Sequence, residues 1–138
     1  MAGVFPSEMW LDSLKEHLNA DERYAKIAKK WEGDLVFDIR AEGGLKEDTR
    51  VYLDLWHGKC RDAYLMKNED QKEPAFTLTA PYGNFVKILL GELDPMQAMM
   101  TRKLVVKGSM AYMMRNVPTV LDFVRCAKEV TETVLEDN

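Results

Sequence analysis

The sequence predicts a single α+β domain spanning residues 1–138, a five-stranded, mainly antiparallel sheet covered on one face by about five helices. Three observations carry that expectation. The 138 residues suit one hydrophobic core, and a second domain would be too small to stabilise itself. Apolar residues recur with helical spacing at the start of the chain, alternate with period two between residues 35 and 80, and then return to helical spacing around one short β-branched run. Helices, then strands, then helices with one late strand is the segregated order of an α+β domain, not the strict alternation of a parallel α/β fold.

Ser7 is placed to cap a first helix over residues 7–18, with Trp10, Leu11, Leu14 and Leu18 on one face. This face, with Phe5, is expected to pack on the sheet instead of resting on a bilayer. Asn19-Ala20-Asp21 breaks the helix and recaps the chain. A second helix carries Tyr24, Ile27, Ala28 and Trp31 inward and stops at Gly33. Leu35, Phe37 and Ile39 then alternate with Val36, Asp38 and Arg40, a half-buried strand that ends at Gly43-Gly44. Residues 49–56 form the next strand, with Val51, Leu53 and Leu55 on one face, and His57-Gly58-Lys59 is a hairpin-length link into a third strand over 60–66. The polar run 67–73 is a loop, and residues 75–80, with Phe76 and Leu78 inward, complete a four-strand meander. Pro81 opens a helix bearing Tyr82, Phe85, Val86, Leu89 and Leu90, which Gly91 closes. Asn116 and Pro118 start a last helix reaching about residue 136, with Val120, Leu121, Val124, Ala127, Val130 and Val134 as its apolar positions.

A net charge of −4 argues against nucleic acid, which needs a basic face, and limits any contact with anionic membrane to a transient one. The first eighteen residues have neither the basic nor the apolar region of a secretory signal, and no apolar run approaches the roughly 20 residues of a membrane span. Two cysteines make no disulfide framework, and Leu135-Glu136-Asp137-Asn138 is not a Ser-Lys-Leu-type address, so a cytoplasmic location is expected. Pairing Cys60 or Cys126 with His17 or His57 would need a glycine elbow that neither cysteine has, and both read as inert thiols. The two histidines are forty residues apart, without an HxxxH or CxxC pair, and the Asp12/Glu16 and His17/Asp21 pairs read as solvated helix-face charges. Neither a Walker nor a GxGxxG spacing occurs. No catalytic residue, cofactor or metal is therefore expected.

The informative stretch is 91–115, GELDPMQAMMTRKLVVKGSMAYMMR, which holds six of the nine methionines. Asp94 followed by Pro95 reads as an N-cap with proline at the first helical position. Met96, Met99 and Met100 then fall at i, i+3, i+4. The run 103–107 is a strand punctuated by Gly108, and Met110, Met113 and Met114 repeat the same spacing beyond it. Such a stripe fits an ordinary core, and it equally fits a surface that adapts to a flexible apolar ligand, because methionine is unbranched and polarizable.

This stretch resembles the signature of the sterol carrier protein type-two family: a Gly-x-Leu-Asp/Asn-Pro-Met-Gln-Ala helix, here Gly91 to Ala98, a strand ending Val106-Lys107-Gly108, and a short helix. Two positions depart from it. Arg102 stands where a small residue, often glycine, is common, and Ser109 where Asp or Asn is common; both bear on turn geometry more than on ligand contact. The resemblance implies an apolar tunnel between sheet and helices for a sterol, fatty acid, fatty acyl chain or phospholipid, without catalysis. The lining expected on that basis is Phe85, Leu89, Met96, Met99, Met100, Met110, Met113 and Met114, closed by Leu121 and Val124, with Gln97 as the nearest polar residue to a headgroup. The alternative is an accessory scaffold that presents a lipophilic substrate to a partner enzyme. Its last helix would then serve as a partner or homodimer surface.

Overall fold

A computed structural model describes residues 3–67 and 69–135. Met1, Ala2, Asn68 and residues 136–138 lie outside the described residues, and with them part of the expected loop, the far end of the expected last helix and most of the C-terminal tetrapeptide. The elements are β1 (Val4–Phe5), α1 (Glu8–Ala20), α2 (Glu22–Ile27), β2 (Leu35–Arg40), β3 (Thr49–Trp56), β4 (Lys59–Leu65) and β5 (Phe76–Pro81). They continue as α3 (Tyr82–Leu89), α4 (Pro95–Met100), β6 (Val105–Lys107), α5 (Met110–Arg115), α6 (Val117–Glu129) and β7 (Thr133–Val134). The fold is the expected α+β class, with six helices among the described residues.

The main sheet has the order β4-β3-β2-β5-β6. Three of its four pairings are antiparallel, and β2 with β5 is parallel. The expected four-strand meander is thus corrected: β2, β3 and β4 form one, but β5 returns on the far side of β2. The sequence of each strand gives the reason. On β4 only Cys60 and Ala63 are buried, which suits an edge, whereas Phe76, Leu78 and Ala80 of β5 are all buried. Pairing β5 on β2 sets Leu35, Phe37 and Ile39 beside Phe76, Leu78 and Ala80, a continuous apolar face. Residues 72–75, ahead of β5, lie over the opposite face. There Lys72 sits 4.7 Å over the Tyr52 ring, and Asp34 accepts from Ala75 N–H and from the Tyr52 hydroxyl, both at 2.8 Å. Between β3 and β4, His57 and Gly58 both have positive φ (48° and 79°), the primed turn that matches strand twist.

On the helical side, Ser7 Oγ accepts from Trp10 N–H at 3.0 Å, and Trp10, Leu11, Leu14 and Leu18 are all buried, as their spacing predicts. Helix α2 ends at Ile27, before the expected stop at Gly33, and Trp31 is buried from a turn with its indole donating to Gly33 O. The larger difference is at α6, which stops at Glu129 and not near residue 136. The next residues, Thr131, Glu132, Thr133 and Val134, are mostly β-branched and favour extended backbone. They pair β7 in parallel with β1, a two-stranded ribbon that helical periodicity could not reveal. Tyr82 fastens this ribbon: its buried hydroxyl donates to Phe5 O at 2.6 Å and accepts from Leu135 N–H at 2.9 Å. The two departures from the family pattern are both turn residues. Arg102 adopts φ of 62°, where glycine is easiest, and Ser109 does the capping work of an Asp by accepting from Tyr112 N–H at 3.1 Å.

Candidate functional site

Between the apolar sheet face and the helices lies a cavity of about 90 Å³. Leu35, Phe37, Leu55 and Leu78 form its floor. Phe85, Ile88 and Leu89 of α3 and Pro95 and Met99 of α4 form one wall, while Thr119, Val120, Phe123, Val124 and Ala127 of α6 form the roof. Trp10, Tyr24, Trp31, Leu104 and Met113 complete it, with Phe5 reaching in from β1. Four lining side chains carry polar atoms, Trp10, Tyr24, Trp31 and Thr119, and three of them are occupied elsewhere. Trp10 donates to Thr131 Oγ1 at 2.8 Å, Trp31 to Gly33 O at 2.8 Å, and the Thr119 hydroxyl to Ile27 O at 3.2 Å. Among the described residues no buried side-chain nitrogen or oxygen lacks a partner. Burial also pushes the Tyr24 phenol well above its ordinary pKa. The cavity can therefore exclude water and pack against an apolar molecule, with the Tyr24 hydroxyl as the one polar group of the lining outside those hydrogen bonds.

Of the residues expected to line a site, Phe85, Leu89, Met99, Met113 and Val124 meet at this cavity. Met96 is buried beside it, and Met110 packs half-buried against the core. Gln97, Met100, Met114 and Leu121 point outward. The correction has one cause in all three helices. With about 100° between successive residues, the inward arc of α4 runs from Ala98 through Pro95 and Met99 to Met96. Met100 and Gln97 are left outside, with Met100 67% exposed. In α5 the arc runs through Tyr112, Met113 and Met110, so Met114 is turned out. In α6 the arc centres on Phe123, which sequence reasoning missed although Val120 and Ala127 bracket it at i−3 and i+4. Leu121 falls on the opposite side. The two tryptophans and the sheet floor were also missed, because they come from elements read only as scaffold.

An ionic cluster ties the roof helix to its neighbours. Arg125 donates to Asp122 at 2.8 Å, to Asp21 at 2.9 Å and to Glu129 at 3.0 Å. Its guanidinium holds the Asp21 carboxyl below the usual range, helped by Tyr24 N–H. Cys60 and Cys126 are buried, and burial pushes each thiol up to about 12. Neither is a thiolate near neutral pH.

Comparison with known proteins adds the following. Residues 11–120 match the model of the SCP-2 sterol transfer family. No curated protein matches the chain. A crystal structure of sterol carrier protein 2 is 33% identical over 91% of this chain and 98% of its own, with a TM-score of 0.81. A conserved hypothetical protein of Thermus thermophilus, suggested to be a sterol carrier protein, is 32% identical over 92% of this chain and 90% of its own, with a TM-score of 0.82. An Aedes aegypti sterol carrier protein solved with palmitate shares the fold at 19% identity and a TM-score of 0.52, over 85% of this chain and 92% of its own. No helix among the described residues is long and apolar enough to cross a membrane.

Proposed function

The chain belongs to the SCP-2 sterol transfer family, and from that premise we propose that it is a non-catalytic lipid-binding protein whose central cavity takes one apolar chain or ring system. The observation that supports this most is the lining: a cavity walled almost wholly by apolar side chains, with three of its four polar side chains already paired. A fatty acid, a fatty acyl chain, a sterol or the tail of a phospholipid all fit that chemistry. The palmitate held by the Aedes protein supports the straight sixteen-carbon shape.

The energetics suit a carrier. Burying sixteen carbons at about 0.8 kcal/mol each yields on the order of 12 kcal/mol. Loss of translational and chain freedom removes at least about 4 kcal/mol of that. The remainder corresponds to roughly micromolar affinity, firm enough to load and weak enough to release. Met99 and Met113 are the side chains best able to re-pack as the cavity fills. A charged headgroup would stay at the surface, since the lining holds no charged side chain to pair with it.

The test is native mass spectrometry of the purified chain before and after incubation with acyl chains and sterols, followed by solvent extraction. The expected result is a bound mass of a few hundred daltons that extracts as lipid (roughly one ligand of the size considered above). A chain that stays ligand-free throughout would overturn the carrier reading and leave the accessory scaffold in its place.

A further inference from the structure

We infer that His17, Asp21 and Cys126 form a binding site for a divalent transition metal of the zinc class, seated where α1 meets α6. The imidazole nitrogen, a carboxylate oxygen and the thiol sulfur all lie within 4.8 Å of one another. Cys126 lies more than a hundred positions from the His17/Asp21 pair, so the sequence shows the pair but not the third ligand that turns it into a site. The site goes beyond the lipid reading and stands whether or not the cavity takes lipid.

The geometry is that of two facing helical pairs. His17 and Asp21 are one turn apart at the end of α1, and Cys126 and Glu129 are i, i+3 on α6. His17 Nε2 lies 3.7 Å from Asp21 Oδ2 and 2.7 Å from Glu129 Oε1. Tetrahedral zinc with bonds of about 2.0–2.3 Å keeps its ligands roughly 3.3–3.7 Å apart, so the imidazole and carboxylate already stand at working separation. The second oxygen of Asp21 is held in place from behind: Oδ1 accepts from Tyr24 N–H at 2.8 Å and from Arg125 at 2.9 Å, which leaves Oδ2 turned to the imidazole. Ligating carboxylates are commonly braced in this way.

The donor set selects the metal. Nitrogen, oxygen and sulfur together suit zinc, cobalt or copper and not magnesium or calcium, which take oxygen alone. Charge balances as well. On binding, the Cys126 S–H bond breaks, the proton leaves to solvent, and the thiolate pair forms the metal–sulfur bond. His17 gives up its hydrogen bond to Glu129, carries its proton on Nδ1 and binds through the freed Nε2 lone pair. The thiolate and Asp21 then neutralise the dication, and water takes the fourth position while Asp122 and Glu129 stay on Arg125. Entry is from the His17 side, where the imidazole is 31% exposed, and the buried Cys126 closes the site beneath it.

The metal-stripped full chain should be titrated with Co²⁺ and followed by absorption. The expected result is a sulfur-to-cobalt charge-transfer band in the near ultraviolet that saturates at one equivalent and is abolished by Zn²⁺. Cys126→Ser should lose the band. His17→Gln and Asp21→Asn should each weaken binding by about tenfold or more, the range for losing a metal-site residue. Both of these variants keep the fold, because His17 is half-buried and Asn still caps α2, so they answer even if Cys126→Ser fails to fold. Absence of the charge-transfer band at saturating cobalt would overturn the site. So would a band of unchanged affinity in the His17 and Asp21 variants, which would mark an adventitious thiol complex.

Discussion

Met113 is 2% exposed in the cavity wall, and Met100 is 67% exposed on the outside of α4, although both sit in the same i, i+3, i+4 pattern. Their substitution separates a ligand-facing role from a general effect of charge. Met113→Glu buries a carboxylate in an apolar wall without a cation, at a cost of several kcal/mol, and should abolish uptake of a fluorescent acyl chain. Met100→Glu should leave affinity within about twofold, as surface changes usually do. Both are read by equilibrium fluorescence, with near-ultraviolet circular dichroism reporting whether the Met113 variant keeps its packing. Equal loss in the two variants would remove Met113 from the ligand site. The residues also show what the sequence could not decide. Periodicity marks Met96, Met99 and Met100 as one side of a helix, but which neighbours meet the cavity depends on how a six-residue element is rotated against α6.

Whole elements were more legible than their ends. The caps at Ser7 and Asp94 and the strand bounds at Thr49 and Trp56 follow from local chemistry that acts within a few residues. The end of α6 does not, because Thr133 and Val134 become a strand only when Val4 and Phe5 arrive from the other end of the chain. The position of β5 was hidden for a similar reason: its pairing with β2 is a choice between sheet edges made by burial, not by turn chemistry. The ribbon's dependence on α3 gives a prediction at this scale. Tyr82→Phe removes the donor to Phe5 O and the acceptor for Leu135 N–H, and should cost about 1–3 kcal/mol. Hydrogen exchange at Leu135 should accelerate by roughly tenfold for each 1.4 kcal/mol lost locally. Unchanged exchange there would show that β1 and β7 hold without the hydroxyl.

At the scale of the molecule the decisive quantity is the cavity's volume. About 90 Å³ is less than the roughly 150 Å³ of an engineered apolar cavity that accepts benzene, so a sixteen-carbon chain enters only if helices yield. α4 and α5, as short as any helix of the fold at six residues each, are the covers carrying Met99 and Met113. Opening before binding sets a ceiling on the association rate. Stopped-flow traces with an acyl chain should therefore give an observed rate that levels off as ligand concentration rises. A rate that climbs linearly throughout would mean the cavity is already open in solution.

The pairing of three of the cavity's four polar side chains has a consequence for selectivity. A site rejects a near-relative of its ligand strongly only when the wrong molecule leaves a polar group stranded, a difference worth about 10⁴-fold or more, whereas one methylene more or less in an apolar slot changes preference only about 10–200-fold. With Trp10, Trp31 and Thr119 all satisfied internally, only the Tyr24 hydroxyl is left to read a polar group, and the rest of this lining is confined to the weaker kind of discrimination. What it holds at any moment would then be set by which apolar molecules are abundant around it, so its occupancy would follow supply, with recognition trimming only the extremes of length and girth.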